Sequence, residues 1–567
     1  MATPLKIVVI GGVATGPKAA ARARRLDPTA EITLIERGKL LSYAGCGMPY
    51  FIEGKIKEIR DLISTPAGAP RDTVFFDRVK DIRVLNRTLA LSINRQAKTV
   101  EVVRVDNNEH QTIPYDKLVI ATGGLPVVPP IEGIRLNRVF RLNHPDDAAA
   151  IREALLAGQI KRATIIGGGL ISLEVTEALA ANGVQVSIVE MMDTILPTML
   201  DFEMAAFLAK HVRAKGVQIY TGEKVLRLEP DAEGNVSRVI TNHREIETDM
   251  VLLAVGARPN TQLAKDAGLE IGPTGGIAVN EYLQTSDPDI YAGGDCVESH
   301  HLVSGQKIHW PMGSAANKHG RVIGDNLAGR KTPFSGVVGT AVLKVFDYNV
   351  GKTGLTEKQA RDLGYPVVTA LAPSPDCPHF YPDNKLILVK LIADAQTGKL
   401  LGAQVMGPGE AVKRVDVLAT AIRFGAGVAE VSELDLGYAP PYSTAIDVAA
   451  HTANIIQNKM TGLAKAITPM EVKAKLEQGE DFIWLDVRSP QEFEQIRLEN
   501  PRVKLIPLGK LREQAGELSP DKEIITFCKV SLRGYEAQRI LEGLGFRQVR
   551  FMDGGIVAWP YALNPSK

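Results

Sequence analysis

Four cysteines, at positions 46, 296, 377 and 528, are the only thiols in this 567-residue chain, and two of them lie where sulfur or redox chemistry is plausible. Cys46 sits in LSYAGCGMPY, flanked by glycines, with no second cysteine close by. A lone thiol of this kind can act as a thiolate, hold a small thiol in a mixed disulfide, carry a persulfide, or cycle through a sulfenic acid. Cys528 closes the apolar run IITF and opens the loop CKVSLR, which ends at Arg533 before a helical pattern. Successive loop N–H groups and a helix N-terminus form an anion cradle that can lower a thiol pKa and hold the outer sulfur of a persulfide. Cys296 and Cys377 read as packing and loop thiols. There is no CxxC and no Cys/His cluster, so neither a disulfide framework nor a metal site is expected.

Two further patterns concern phosphate. An apolar run at 5–10 leads into GGVATG (Gly11, Gly12, Gly16), and a second at 163–166 leads into GGGLIS (Gly167, Gly168, Gly169). The first glycine of each allows a tight turn, and a small residue later lets helix and strand approach. The helix N-terminus then offers free N–H groups to a pyrophosphate. Val13 stands at the usual middle glycine of the first fingerprint, and Ser172 replaces the third glycine of the second. Each unit reaches an acid, Glu36 and Glu190, 25 and 23 residues after its first glycine, near the spacing at which a carboxylate meets the ribose hydroxyls of an adenosine. Two dinucleotide sites follow. Glu190 repels a 2′-phosphate and accepts from a free 2′-OH, so NADH is expected over NADPH.

The elements that position these residues are βαβ units, with helices expected at 18–26 and 173–181 and second strands at 32–35 and 185–189. From about 331 the pattern changes to strands at 340–346 and 385–392 and a helix at 412–424, without a glycine fingerprint. A final α/β pattern has strands at 482–487, 524–528 and 548–552 and a helix at 535–544. The expected fold class is α/β: a dinucleotide-binding domain from 1–148 and 260–330, a second from 149–259, an α+β domain from 331–452, a linker at 453–468 and an appended α/β domain from 469–567. With 66 basic against 65 acidic residues there is no global field for a polyanion, so nucleic acid is not an expected partner and phosphates must be met locally. No stretch approaches about 18 apolar residues, so no membrane span is expected. The sparse cysteines fit a reducing cytoplasm.

Residues 1 to about 450 resemble the coenzyme A disulfide reductase branch of the single-cysteine flavoprotein reductases, close to NADH oxidases and peroxidases. The resemblance rests on GGVA, the SxxxCGMPY block, KLVIATGG, VGARPN, TSDPDIYAGGD, AANKHGR and YAPPYS. It implies FAD held by Gly11, Gly12, Gly16, Glu36, Arg37, Ser42, Ala121, Thr122, Gly123, Asp295 and Pro311, with Asp295 on the ribityl chain. It implies nicotinamide at Gly167, Gly168, Gly169, Glu190 and Gly256, and coenzyme A phosphates and adenine at Arg22, Arg25, Ser42, Asn317 and Arg321. It further implies a homodimer in which Tyr381 and Tyr442 reach the other subunit's Cys46 and protonate or steady a leaving thiolate. Gly45 departs from the asparagine usual before the cysteine. Residues 470–565 resemble the rhodanese sulfurtransferases through WLDVRSPQEF, CKVSLR and MDGGIVAW, with Cys528 and Arg533 at the active loop. Ser531 there replaces the usual loop glycine, and QIRLENPRVK replaces the common histidine-containing turn.

Together these readings give an FAD-dependent, NADH-using reductase of sulfur–sulfur bonds in coenzyme A persulfide, polysulfide or coenzyme A disulfide, with sulfane sulfur relayed by the rhodanese domain. Two alternatives stand beside it: an NADH oxidase or peroxidase cycling Cys46 through sulfenic acid, and a redox-sensing sulfur-relay protein.

Overall fold

A computed structural model describes residues 3–561 and 563. Two compact units emerge, one from residues up to 191 together with 217–337, the other from 192–216 together with 338 onward.

In the first unit, five parallel strands run in the order Ile290–Ala292, Lys117–Ile120, Lys6–Ile10, Glu31–Ile35, Arg83–Leu85. The central strand KIVVI is apolar and buried from Ile7 to Ile10 because both its faces are covered. Ile7 and Val9 point into a core shared with the helices Thr15–Leu26 and Gly313–Leu327, while Val8 and Ile10 pack against Val100, Val102 and Ile113 of a three-stranded antiparallel sheet. The two helices touch through glycine: a Cβ at Gly320 would lie 2.6 Å from Lys18 Cβ. A second five-stranded parallel sheet has the order Gln218–Thr221, Gln185–Glu190, Arg162–Ile166, Met250–Leu253, Val139–Phe140. Both crossover helices begin at their fingerprints, Thr15–Leu26 and Leu170–Ala181, about one turn earlier than expected.

In the second unit an antiparallel sheet runs Ala341–Val345, Tyr348–Gly354, Leu400–Gly407, Leu386–Asp394, Val367–Pro375. Only two of its five strands had been expected from the sequence. The helix Ala411–Arg423 packs on it. The appended domain is a parallel sheet in the order Ala466–Ile467, Val549–Met552, Glu523–Phe527, Phe482–Asp486, Val503–Leu505.

Two expected boundaries change. The helix Phe202–Ala214, inside the stretch assigned to the second dinucleotide domain, belongs to the second unit. Its cause is a buried cation: Lys390 Nζ contacts Glu203, Asp201 at 3.0 Å and Glu357 at 2.7 Å. Residues 453–460, read as linker, continue the helix Val448–Met460, whose apolar face is buried. The true connection is short, and Gln538 grips it at both ends through Leu463 O (3.3 Å) and Lys465 N (3.0 Å).

Candidate active site

The two fingerprints share one geometry. Gly11 and Gly167 have φ of +113° and +104°, and a Cβ at either would lie 2.1 and 2.4 Å from the carbonyl oxygen of Ala121 and Ala254 on the neighbouring strand. Only glycine fits that turn. Gly12 N donates to Glu36 Oε2 at 2.7 Å, and Gly168 N donates to Glu190 Oε2 at 2.6 Å. Each acid is thereby fixed at the mouth of its phosphate turn, as the spacing predicts. Arg37 is exposed beside Glu36.

Around the first fingerprint the expected flavin residues converge from distant parts of the chain. Ala121 N donates to Ile10 O at 2.7 Å, and Thr122 Oγ1 to Asn260 O at 2.6 Å, while Asn260 N returns a bond to Gly123 O at 2.9 Å. VGARPN and KLVIATGG thus form one joint, with Gly256 inside the first segment at φ +100°. Ser42 N donates to Gly12 O at 2.8 Å, which draws the Cys46 segment to the glycine turn. Asp295 is largely buried, and among the described residues no group donates a hydrogen bond to its carboxylate. Burial raises its pKa. A carboxylate without a donor beside a fingerprint suits a hydroxyl-bearing chain, so the residues present fit a dinucleotide flavin. Gly294, its neighbour, donates from N to His319 Nδ1 at 3.1 Å, and His319 is buried and held neutral, its pKa pushed down to about 4 by burial. Pro311 lies exposed ahead of the helix Gly313–Leu327. Cys296 is fully buried against Gly293 O and Ile120 O, a packing thiol as expected.

Cys46 is exposed, in a single turn Gly45–Gly47 that leads directly into the helix Met48–Glu53. That helix packs against Leu170–Ala181, the helix of the second fingerprint. Glu174 lies on the latter, and its charge reaches Cys46; no local motif marks it in the sequence. Burial, and then the charge of Glu177, push the Glu174 pKa up to about 7. Burial, then Glu174 and Asp295, raise the Cys46 thiol. Arg71 was also missed: its guanidinium ties Ser42 Oγ (3.4 Å), Ile63 O (3.1 Å) and Ser64 O (2.6 Å) together beneath the cysteine segment.

The proposed coenzyme A residues divide. Arg25, Asn317 and Arg321 are exposed on the paired helices Thr15–Leu26 and Gly313–Leu327, beside Lys18 and Lys318. Arg22 is not part of that free surface, because Asp325 engages its Nε at 2.7 Å and its Nη2 at 2.6 Å. It is a helix-to-helix clamp.

In the second unit, Tyr381 and Tyr442 occupy two loops that one network joins. Cys377 Sγ donates to Pro441 O at 3.4 Å, and Arg414 Nη2 donates to Asp376 O at 3.0 Å and Ser443 Oγ at 3.4 Å while pairing with Asp447 at 2.9 Å. Tyr442 is 65% exposed, next to exposed Phe380, Tyr438 and Ile446. In the appended domain, Cys528 ends its strand buried, and Arg533 in the first turn of the helix Leu532–Gly543 forms two 2.7 Å bonds to Glu492. Those bonds hold the Glu492 carboxyl down at about 2 and raise the Arg533 guanidinium, to which Cys528 also contributes. No metal-ligand cluster is present among the described residues, and no described helix is long and apolar enough to cross a membrane.

The chain carries the signature of the pyridine nucleotide-disulphide oxidoreductases over residues 5–315, of their dimerisation domain over 340–450, and of the rhodanese-like domain over 468–561. It belongs to the pyridine nucleotide-disulphide oxidoreductase family, whose cofactors are FAD and NAD(P)H. It is similar to a NAD-dependent persulfide reductase from A. fulgidus, with 44% identity, a TM-score of 0.93, and coverage of 98% of this chain and 100% of that one. It is also similar to the reduced CoADR-RHD of Bacillus anthracis, with 35% identity, a TM-score of 0.92 and 98% of each chain covered. An NAD(P)H coenzyme A polysulfide/persulfide reductase from Pyrococcus horikoshii is 36% identical over 455 residues, 80% of this chain and 98% of that protein.

Proposed function

We propose that this chain is an NADH-using reductase of sulfur–sulfur bonds that takes coenzyme A persulfide, polysulfide or coenzyme A disulfide, working as a homodimer. The observation that carries the reading is Cys46 itself. It is exposed, without a second cysteine to close an internal disulfide, and the helix Met48–Glu53 that follows it packs against the helix that presents the nicotinamide fingerprint. FAD, which the residues around Gly11 and Asp295 would hold, would supply the passage of an electron pair from NADH to sulfur. The Cys46 thiolate attacks the outer sulfur of coenzyme A persulfide, forming a Cys46 persulfide and expelling the coenzyme A thiolate. Two electrons and one proton then split that persulfide into hydrogen sulfide and the Cys46 thiolate. Tyr381 or Tyr442 of the opposite subunit supplies a neutral hydrogen-bond donor to the leaving thiolate. The exposed apolar residues around Tyr442 support burial against a second copy. Arg25 and Arg321, with Asn317, meet the coenzyme A phosphates. Cys528 carries sulfane sulfur from a donor toward coenzyme A or Cys46, and Arg533 steadies the anionic outer sulfur.

Steady-state turnover with coenzyme A persulfide, coenzyme A disulfide, polysulfide and oxygen tests the reading, alongside Cys46→Ser. Sulfur reduction should vanish in Cys46→Ser while flavin stays bound. Retained sulfur turnover in that variant, or oxygen consumption matching sulfur turnover in the wild type, sinks it, the second result pointing to an oxidase.

A further inference from the structure

The loop after Cys528 contains a residue in a conformation it cannot hold unaided. Ser531 has φ +101° and ψ −46°, outside the regions open to side chains bearing a Cβ, at a position where the rhodanese pattern has glycine. Such a residue persists only where its surroundings over-determine it. Its surroundings are the turn Asp553–Gly555. Gly554 N donates to Ser531 Oγ at 2.6 Å, Ile556 N to Cys528 O at 2.9 Å, and Val557 N to Lys529 O at 3.1 Å. The turn therefore grips the active loop at Cys528, Lys529 and Ser531.

What fixes the turn lies outside the rhodanese fold. Lys459, in the last turn of Val448–Met460, reaches Asp553 Oδ2 at 2.5 Å and Thr369 O at 2.6 Å. Leu371 N, on the edge strand Val367–Pro375, adds a longer bond to the same carboxylate oxygen at 3.4 Å. Both Lys459 and Asp553 are largely buried, and among the described residues Asp553 Oδ1 has no hydrogen-bond partner. The carboxylate is thus held by a cation and an amide of the preceding domain.

We propose that Lys459 is a positioning residue for the sulfurtransferase loop. By holding Asp553 it keeps the glycine turn in the place from which Gly554 and Ile556 maintain Ser531 and Cys528 in their working geometry. The departure from glycine at 531 makes the loop of this chain dependent on its neighbouring domain, whereas glycine would adopt the same backbone unaided. This inference rests on Cys528 being a sulfurtransferase nucleophile.

The test is a double-mutant cycle in the full chain, using thiosulfate as donor and cyanide as acceptor. The Cys528 thiolate attacks the outer sulfur of thiosulfate, releasing sulfite and leaving a persulfide. Cyanide takes the outer sulfur as thiocyanate and returns the thiolate. Lys459→Met in the wild-type background should slow transfer by about tenfold or more, whereas Lys459→Met in the Ser531→Gly background should slow it by less than about threefold relative to Ser531→Gly alone. Flavin content and sulfur reduction at Cys46 report whether the variant chain is folded. Lys459→Gln, which keeps a donor for Thr369 O but drops the charge, serves where the methionine variant does not fold. Equal slowing in the two backgrounds, or no slowing in either, with transfer abolished by Cys528→Ser, overturns the positioning role alone. Absence of transfer by the wild type, or its survival in Cys528→Ser, overturns the sulfurtransferase reading and the positioning role with it.

Discussion

The carboxylate of Glu190 accepts a hydrogen bond from the backbone N–H of Gly168 at 2.6 Å, the same relationship that ties Glu36 to Gly12 at 2.7 Å. In each sheet the acid ends the second strand and is clamped to the phosphate turn of the first, so it cannot swing away from an arriving ribose. A 2′-phosphate would meet a fixed negative charge there. Glu190→Ala should lower the ratio of kcat/KM for NADH over NADPH by about tenfold or more, which is about 1.4 kcal/mol. An unchanged ratio refutes the role.

Burial pushes the Glu174 pKa up to about 7, and its charge reaches Cys46. That lies above the ordinary carboxylate value of 4.5, so the fold favours the protonated form. The associated stability is complete below about pH 4.5 and is lost as pH rises through about 7. The thermal midpoint of Glu174→Gln should therefore rise relative to wild type between about pH 5 and about pH 8. The ionised carboxylate also raises the Cys46 thiol, so iodoacetamide should label Cys46 severalfold faster in Glu174→Gln than in wild type at about pH 8, and at equal rates below about pH 6. Parallel profiles across the whole range would exclude the coupling.

Glu492 shows the opposite sign. Its bond to Arg533 depresses its pKa to about 2, so the stabilisation is present above about pH 4.5 and disappears as pH falls through about 2. The stability difference between wild type and Glu492→Gln should be constant at neutral pH and vanish near pH 2, measured by denaturant unfolding of the rhodanese signal at Trp484 and Trp559. Arg533→Gln should reduce sulfur transfer by about a hundredfold, since a charge-assisted donor to an anionic sulfur contributes about 2–3 kcal/mol.

Exposed arginines should affect binding rather than chemistry. Arg25→Gln and Arg321→Gln are each expected to raise KM for coenzyme A substrates about three- to tenfold while leaving kcat, and all constants for polysulfide, unaltered. An equal loss with polysulfide would show that these side chains do not meet the coenzyme A phosphates.

Lys390 balances three carboxylates in the second unit. Burial disfavours its charge, but Glu203, Asp201 and Glu357 outweigh this and raise its pKa. Lys390→Met should destabilise the fold by about 3–5 kcal/mol because it strands buried carboxylates without a counter-charge. A thermal midpoint within experimental error of the wild type would contradict that accounting.

Much of the chemistry was legible in the linear order because backbone geometry is local. A glycine at φ +113° is required wherever a strand turns sharply against its neighbour's carbonyl, so the fingerprints at Gly11 and Gly167 announce their turns whatever surrounds them. The acids Glu36 and Glu190 follow at the distance set by one helix and one strand. Cys46 and Cys528 are marked by neighbours that shape short loops. The pairing of Arg22 was not legible for the converse reason: an arginine on a helix face has the same local pattern whether or not it meets a carboxylate such as Asp325 some three hundred residues away.

The sequence by itself determined the two glycine turns, their acids, the loop positions of Cys46 and Cys528 and the order of the domains. These depend on contacts within a few tens of residues. Tertiary structure alone decided that the charge of Glu174 reaches Cys46, that the helix Phe202–Ala214 belongs to the second unit and pairs Glu203 with Lys390, and that Lys459 pairs with Asp553. Those relationships arise from burying charge between elements remote in the chain. No local pattern encodes them, because desolvation and pairing exist only once the elements have packed.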